Sequence, residues 1–290
     1  MGRCFVYKEG RMTVSFNNLG SHGRLGNQMF QYASLRGVTL RNKHSAMVPP
    51  PDTKTVDQYG LFECFTMTTD LEFGFQKNVP EYQVNQFHFS EELYYLCPDN
   101  VDLVGYLQTE RYFKKFSDQI RSDFTFRPEI VDRVLDGYGD YLKDRPVFLH
   151  VRRGDPNLWW AYTNLPDHHP VCAPEYYQEA LKYIDDYRRV IVISDSIDWC
   201  KEQEWLSGSR FIFSDESLNK FSDGASVPYY DLCLMSLCAG GIIANSSMSW
   251  WGAWLIDEKD NPIIAPKQWF GKALDHYNMD DLIPKDWTVL

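Results

Sequence analysis

The chain is short of positive charge: 29 Lys and Arg stand against 40 Asp and Glu, a net charge of -11 at pH 7. A nucleic-acid partner needs a basic face, so that class is excluded. A nucleotide ligand is not excluded, because a few local arginines decide such a site. No apolar run approaches the roughly 20 residues of a membrane helix, and the first ten residues show no signal peptide. The seven cysteines (Cys4, Cys64, Cys97, Cys172, Cys200, Cys233 and Cys238) contain no Cys-x-x-Cys spacing. That pattern suggests neither a zinc site nor a secreted disulfide framework, and a reducing compartment is the simpler reading. No Asp-x-Asp pair occurs, so a divalent metal held that way is not expected. No G-x-G-x-x-G occurs, and Gly23-Arg-Leu-Gly26 lacks the lysine of a P-loop, which weakens dinucleotide and NTPase readings. There is no internal repeat and no low-complexity tract.

Aromatic and apolar mass, by contrast, is plentiful. The 290 residues are 44% hydrophobic, enough for a sizeable core in one or two domains. Residues 12–16 read as a strand, 17–26 as a Gly/Asn/Ser/His loop, and 27–40 as a helix. Residues 48–102 read as irregular. Helical patterns occupy 106–116 and 129–142, and residues 144–146 read as a hinge. The second half alternates more cleanly. Strands are expected at 147–151, 190–194, 211–213, 241–244 and 262–265, with helices at 174–188 and 228–238. Ser246 or Ser247 is expected to cap the helix after residue 244. Trp250, Trp251 and Trp254 fit a helix face in the core better than a sugar platform. Strands and helices alternating at these lengths imply a parallel, helix-covered sheet.

His150-Val-Arg-Arg-Gly-Asp155 comes directly after the apolar run Val147-Phe-Leu149, at the carboxyl end of a buried strand. Ligands of open α/β sheets bind at that end. Two adjacent arginines there suit a dianion such as a phosphate, or else an ion-pair cluster with Asp155. Along a strand the two side chains point to opposite faces. Arg152 is the better phosphate ligand, and Arg153 is expected to pair with Asp155 or another acid. Asn245-Ser246-Ser247 sits between a strand and a helix, where hydroxyls and free N–H groups make an anion site. Asp195 closes the 190–194 strand at the same edge, fit either for a ribose or for capping the next helix. Asp231 interrupts an otherwise apolar helix and needs a partner.

Three segments in order, Gly23-Arg-Leu-Gly-Asn-Gln-Met-Phe-Gln-Tyr-Ala33, His150–Asp155 and Ala244-Asn-Ser-Ser-Met-Ser-Trp-Trp-Gly-Ala-Trp-Leu255, resemble the α1,2-fucosyltransferases of glycosyltransferase family 11. Gly105-Tyr-Leu-Gln-Thr-Glu-Arg-Tyr-Phe113 adds a fourth match. The resemblance implies an α/β, GT-B-like fold, two Rossmann-like domains facing a cleft. Residues 1–143 would form the acceptor-side domain and 144–290 the GDP-fucose-binding domain, with a C-terminal tail free to return to the first. It implies inverting transfer of L-fucose from GDP-β-L-fucose to a galactoside hydroxyl in α1,2 linkage. The partners would be GDP-fucose and a galactose-containing glycan, with no cofactor and no metal. Arg152 aligns with the family's phosphate-binding arginine. Arg24, Gly26 and Asn27 belong to a loop that would face the donor phosphates and sugar. Core α1,6- and protein O-fucosyltransferases share the C-terminal motif order, which assigns His150 and Asp231 to the nucleoside. Asn245, Ser246, Ser247, Asp195 and Arg153 complete the expected donor contacts. Asp155 is the first candidate for the base, and Glu110, His22 and His168 also carry suitable groups. Animal family members are anchored in the Golgi. A chain without an anchor is expected in the cytoplasm, as in bacteria, and in the Golgi lumen only if an anchor was removed. The rival readings are a non-catalytic glycan- or nucleotide-binding protein of the same fold, and fucosyl transfer to a protein hydroxyl.

Overall fold

A computed structural model describes residues 12–55, 59–67, 71–154, 165–185, 188–215, 228–257 and 262–290. They form two compact units. One contains residues up to 62 together with 67–124; the other contains 63–66 together with 125–290.

The first unit is built on a five-stranded parallel sheet. Its strands are Thr13–Ser15 (β1), Ser45–Val48 (β2), Glu72–Phe73 (β3), Glu81–Val84 (β4) and Val101–Gly105 (β5), in the order β3-β2-β1-β5-β4. Helix α1 (Leu25–Asn42) comes after β1. It ends on Lys43, whose left-handed backbone lets its N–H bond the Thr39 carbonyl. Helices α2 (Leu61–Cys64), α3 (Glu91–Leu96) and α4 (Ser117–Asp123) are short. The region read as irregular therefore contains β3, β4 and part of β5. Its strands escaped the hydrophobic pattern because β3 and β4 are short, largely solvated edges. Residues 106–116 are not one helix either: two 3-10 turns, Glu110–Tyr112 and Lys114–Phe116, occupy the stretch.

The second unit holds a six-stranded parallel sheet. Strands β6 (Val147–Val151), β7 (Val190–Ser194), β8 (Phe211–Phe213), β9 (Gly240–Ile242), β10 (Ile263–Ala265) and β11 (Thr288–Val289) run in the order β11-β10-β9-β6-β7-β8. Its helices are α5 (Pro128–Leu142), α6 (Leu165–His168), α7 (Pro174–Leu181), α8 (Ile197–Lys201), α9 (Tyr229–Ser236) and α10 (Ser247–Leu255). Both α5 and α7 start with proline, whose missing N–H costs nothing in a first turn. Contacts with α9, including Arg133 over the Tyr230 ring at 4.7 Å, place α5 in the second unit. The boundary drawn at 143/144 from sequence thus falls after a helix that belongs with the second sheet. The C-terminal strand β11 belongs to the second unit, where it pairs with β10, matching Ile264 to Thr288.

Strand alternation sorts the core. Val147, Leu149 and Val151 pack with Tyr177, Ala180 and Ile197 on one face of the sheet; Phe148 and His150 point to the other. Trp250 and Trp251 are fully buried, and the Trp250 indole donates to the Leu282 carbonyl at 2.8 Å. The tryptophans of α10 are core, as their spacing predicts.

Candidate functional site

In the second sheet the chain runs outward from β6 to β8 and resumes on the other side of β6 with β9. The carboxyl ends of β6 and β9 therefore flank a topological switch point, where connections diverge and leave a crevice. The loops leaving those two strands are residues 152–154 and 243–246. Among the site residues expected in this unit, Asp231 lies outside those two loops, in the first turn of α9, the helix that leads into β9.

The register matches His150 to Ile193 and Val151 to Ser194. One step further, Arg152 lies beside Asp195. Its guanidinium Nη1 meets Asp195 Oδ2 at 2.8 Å. The same carboxylate accepts the backbone N–H of Arg153 at 2.9 Å and of Gly154 at 3.0 Å. A carboxylate offers about four lone-pair positions, and three are taken. Asp195 is thereby the clamp that shapes the arginine loop, neither a cap for α8 nor a free ribose ligand. A guanidinium held along one edge still presents its other N–H groups, in a plane suited to two phosphate oxygens.

Arg153 leaves on the opposite face. Its guanidinium lies 4.0 Å over the Trp199 ring of α8, a cation–π contact that the sequence did not predict. Asp155 lies outside the described residues.

His150 is 2% exposed, and its Nδ1 has no hydrogen-bond partner among the described residues. Burial pushes its pKa down to about 4; Asp195 opposes that shift and Arg152 adds to it. The ring is therefore uncharged near neutral pH, with one polar atom left for a ligand at the strand end. The shift has a consequence for stability. The unfolded chain, with an imidazole near 6.5, binds the proton first as pH falls. The contribution is complete above pH 6.5 and is lost toward pH 4. Between pH 7 and pH 5 wild type should lose about 2 kcal/mol through this group. Urea midpoints at both pH values should show a smaller loss in His150→Gln; equal losses would assign the slope to other groups.

The serine motif divides differently from expectation. Asn245 is committed to structure: its amide nitrogen donates to the carbonyls of Pro170 at 2.7 Å and Trp269 at 3.1 Å. Ser246 occupies the N-cap of α10, but its side chain makes no cap bond. Ser246 and Ser247 are both half-buried, and the first-turn N–H groups of α10 are free by helix geometry. These groups, rather than a capped helix end, face the loop side of the switch point. Asp231 stands half-buried in the first turn of α9, where its charge helps raise the Tyr138 phenol, behind the larger effect of burial. His169 packs on Phe270 at 5.3 Å. Its imidazole is lowered first by desolvation and then by the His168 and Arg152 charges.

The first sheet has its own switch point, between β1 and β5, and the glycine loop leaves β1 there. Helix α1 begins at Leu25, with exposed Arg24 at its N-cap. Asn27 therefore lies inside the first turn rather than capping it. Its carbonyl oxygen accepts from Gln108 at 2.8 Å, so it ties the loop to the segment after β5. Gly26 is buried, and Gly23 has φ +95° with Asn27 against it, a position where a Cβ would collide. The sequence reading missed the two residues that fix this loop. Gln28 donates to the Gly23 carbonyl at 3.1 Å and accepts from Gly60 N–H at 3.1 Å. Gln31 donates to the carbonyls of His22 at 3.1 Å and Gly105 at 3.2 Å. The available signal was two glutamines three apart on the apolar side of a helix.

A family model described as glycosyl transferase family 11 matches residues 5–290. The chain belongs to that family. Among similar proteins, an α-1,2-colitosyltransferase of Escherichia coli is 29% identical, covering 92% of this chain and 96% of its own length. Galactoside α-(1,2)-fucosyltransferase 2 of Sus scrofa is 26% identical, covering 80% of this chain and 67% of its own. The fucosyltransferase NodZ from Bradyrhizobium superposes with a TM-score of 0.52 at 14% identity, over 83% of this chain and 92% of that one. Its likeness shows the fold, and the family 11 chain is accordingly α/β and GT-B-like, with two parallel-sheet units. Among the described residues, no helix is long and apolar enough to cross a membrane, and no cluster of three metal-ligating side chains occurs.

Proposed function

We propose that this family 11 enzyme transfers L-fucose from GDP-β-L-fucose to a hydroxyl of a galactose-containing glycan, with inversion, in α1,2 linkage and without a metal. The observation that carries the reading is the Arg152 guanidinium, clamped by Asp195 at a switch point beside the uncharged, buried His150. The name of the porcine relative supports the galactoside and the linkage. A NodZ crystal soaked with GDP-fucose, also at a TM-score of 0.52, supports the donor.

In this reading the acceptor hydroxyl oxygen attacks the anomeric carbon from the face opposite GDP. The new C–O bond forms as the bond to the β-phosphate oxygen breaks, and the electron pair leaves on phosphate. Arg152 and the N-terminus of α10, with Ser246 and Ser247, stabilise that growing charge. His150 and Asp231 hold the nucleoside, and Arg24 with the glycine loop faces the donor. The hydroxyl proton passes to a base, for which Asp155 remains the first candidate.

Incubation with GDP-fucose and lactose should yield an α1,2-fucosylated product identifiable by its NMR linkage. Binding of GDP-fucose without transfer to any galactoside would favour the non-catalytic reading. The E. coli relative favours one second reading, a colitosyl donor. Colitose is fucose without its 3-hydroxyl. A site that bonds that hydroxyl would reject the deoxy sugar strongly, so competition between the two GDP-sugars separates the readings. EDTA should leave the rate unchanged. A loss of about tenfold restored by Mg²⁺ or Mn²⁺ would show Lewis-acid assistance to the leaving group.

A further inference from the structure

A pocket of about 480 Å³ lies wholly within the first unit, lined by Arg41, Phe89, Tyr95, Arg111, Lys114 and Lys115 among others. Four cations converge there on a chain whose net charge is -11. They come from the last turn of α1 and the two 3-10 turns. Two are held by rings: Arg41 lies 5.2 Å over Tyr95 and Arg111 lies 4.2 Å over Phe89. Acidic neighbours answer only part of the charge. Lys114 bonds Glu110 at 2.6 Å, and Arg111 reaches Glu91 at 4.0 Å. Among the described residues, Arg41 and Lys115 meet no carboxylate.

A guanidinium stacked on a ring is preorganised, so little side-chain freedom is lost when an anion bonds its N–H edge. Like charges gathered without enough counter-charge repel one another, and an anion relieves that repulsion. The volume lies in the range of small-molecule sites and far exceeds a bare ion. Tyr95 is half exposed and offers an apolar face that suits the C–H surface of a sugar ring. We propose that this pocket is a second ligand site, taking an anionic saccharide, a sugar that bears a carboxylate or a phosphate. The proposal goes beyond the transfer reaction and rests on that reading only for the sugar.

The test is calorimetry on the full chain at low salt. Sialyllactose and glucose 6-phosphate separate carboxylate from phosphate. Lactose, inorganic phosphate and phosphatidylglycerol vesicles are the controls. Each is titrated into wild type, the Arg41→Ala/Lys115→Ala double variant, the corresponding double glutamate variant, and Arg152→Ala. At least one anionic sugar should bind wild type and Arg152→Ala alike. It should bind the double alanine variant about tenfold more weakly, as expected for two lost charge-assisted contacts, and the glutamate variant not at all. Both substitutions lie on exposed side chains, and circular dichroism checks the fold. Unchanged binding in the variants, equal binding of lactose or phosphate, binding to vesicles alone, or no binding to wild type would each overturn the proposal. None of these readouts uses transfer, so failure of the pocket is distinct from failure of the fucosyl reading.

Discussion

Arg152→Lys should lower kcat by about two orders of magnitude, the size seen when one preorganised transition-state donor is removed. The argument is geometric. Arg152 uses one edge of its guanidinium on Asp195 and keeps the rest of a planar fork for the departing phosphate. Lysine keeps the charge but is a point donor; it cannot hold the carboxylate and grip two phosphate oxygens in one plane. GDP affinity should fall less than the rate, because the charge on the β-phosphate grows as the bond breaks. Arg153→Lys is the internal control. It loses the stack on Trp199, worth at most about 1 kcal/mol at a partly exposed site, and should lower the melting temperature slightly with kcat retained. Near-normal kcat in Arg152→Lys, with Arg153→Lys folded and inactive, would show that the two roles are reversed.

Asp195→Ala should be damaging in both stability and rate. It removes the partner of Arg152 and the acceptor of two backbone N–H groups at once. Leaving a partly buried cation and two amides unanswered should cost about 2–3 kcal/mol, read as a shift in urea midpoint. The loop 152–154 would then lose its shape, and misplaced donors lower kcat by about a hundredfold. Asp195→Asn keeps one oxygen acceptor but sets an amide where the other oxygen stood, so it should fall between wild type and alanine in both measurements. A clamp acts on kcat through Arg152. Combining Asp195→Ala with Arg152→Lys should therefore cost less than the two single losses added. Full additivity would mean that Asp195 meets the substrate independently.

The sequence by itself determined the family and the second half of the fold. Alternating apolar strands and helices are written locally from residue 147 onward, because strands buried on both faces read as continuous apolar runs. The position of His150 and Arg152 at the end of β6 came from that run, as did the divergence of Arg152 from Arg153, since strand side chains alternate. The tertiary structure decided the partners. Asp195 is 43 residues from Arg152 in the chain, and only parallel pairing of β6 with β7 makes it a clamp. Asn245 looked like a ligand and is spent on the Pro170 and Trp269 carbonyls, because backbone groups from distant loops needed a donor there. In the first unit, short solvated edge strands left no pattern to read. The switch point that gives the glycine loop its place came from the strand order β3-β2-β1-β5-β4. Strand order depends on which edges meet in space, and no local window of residues encodes it.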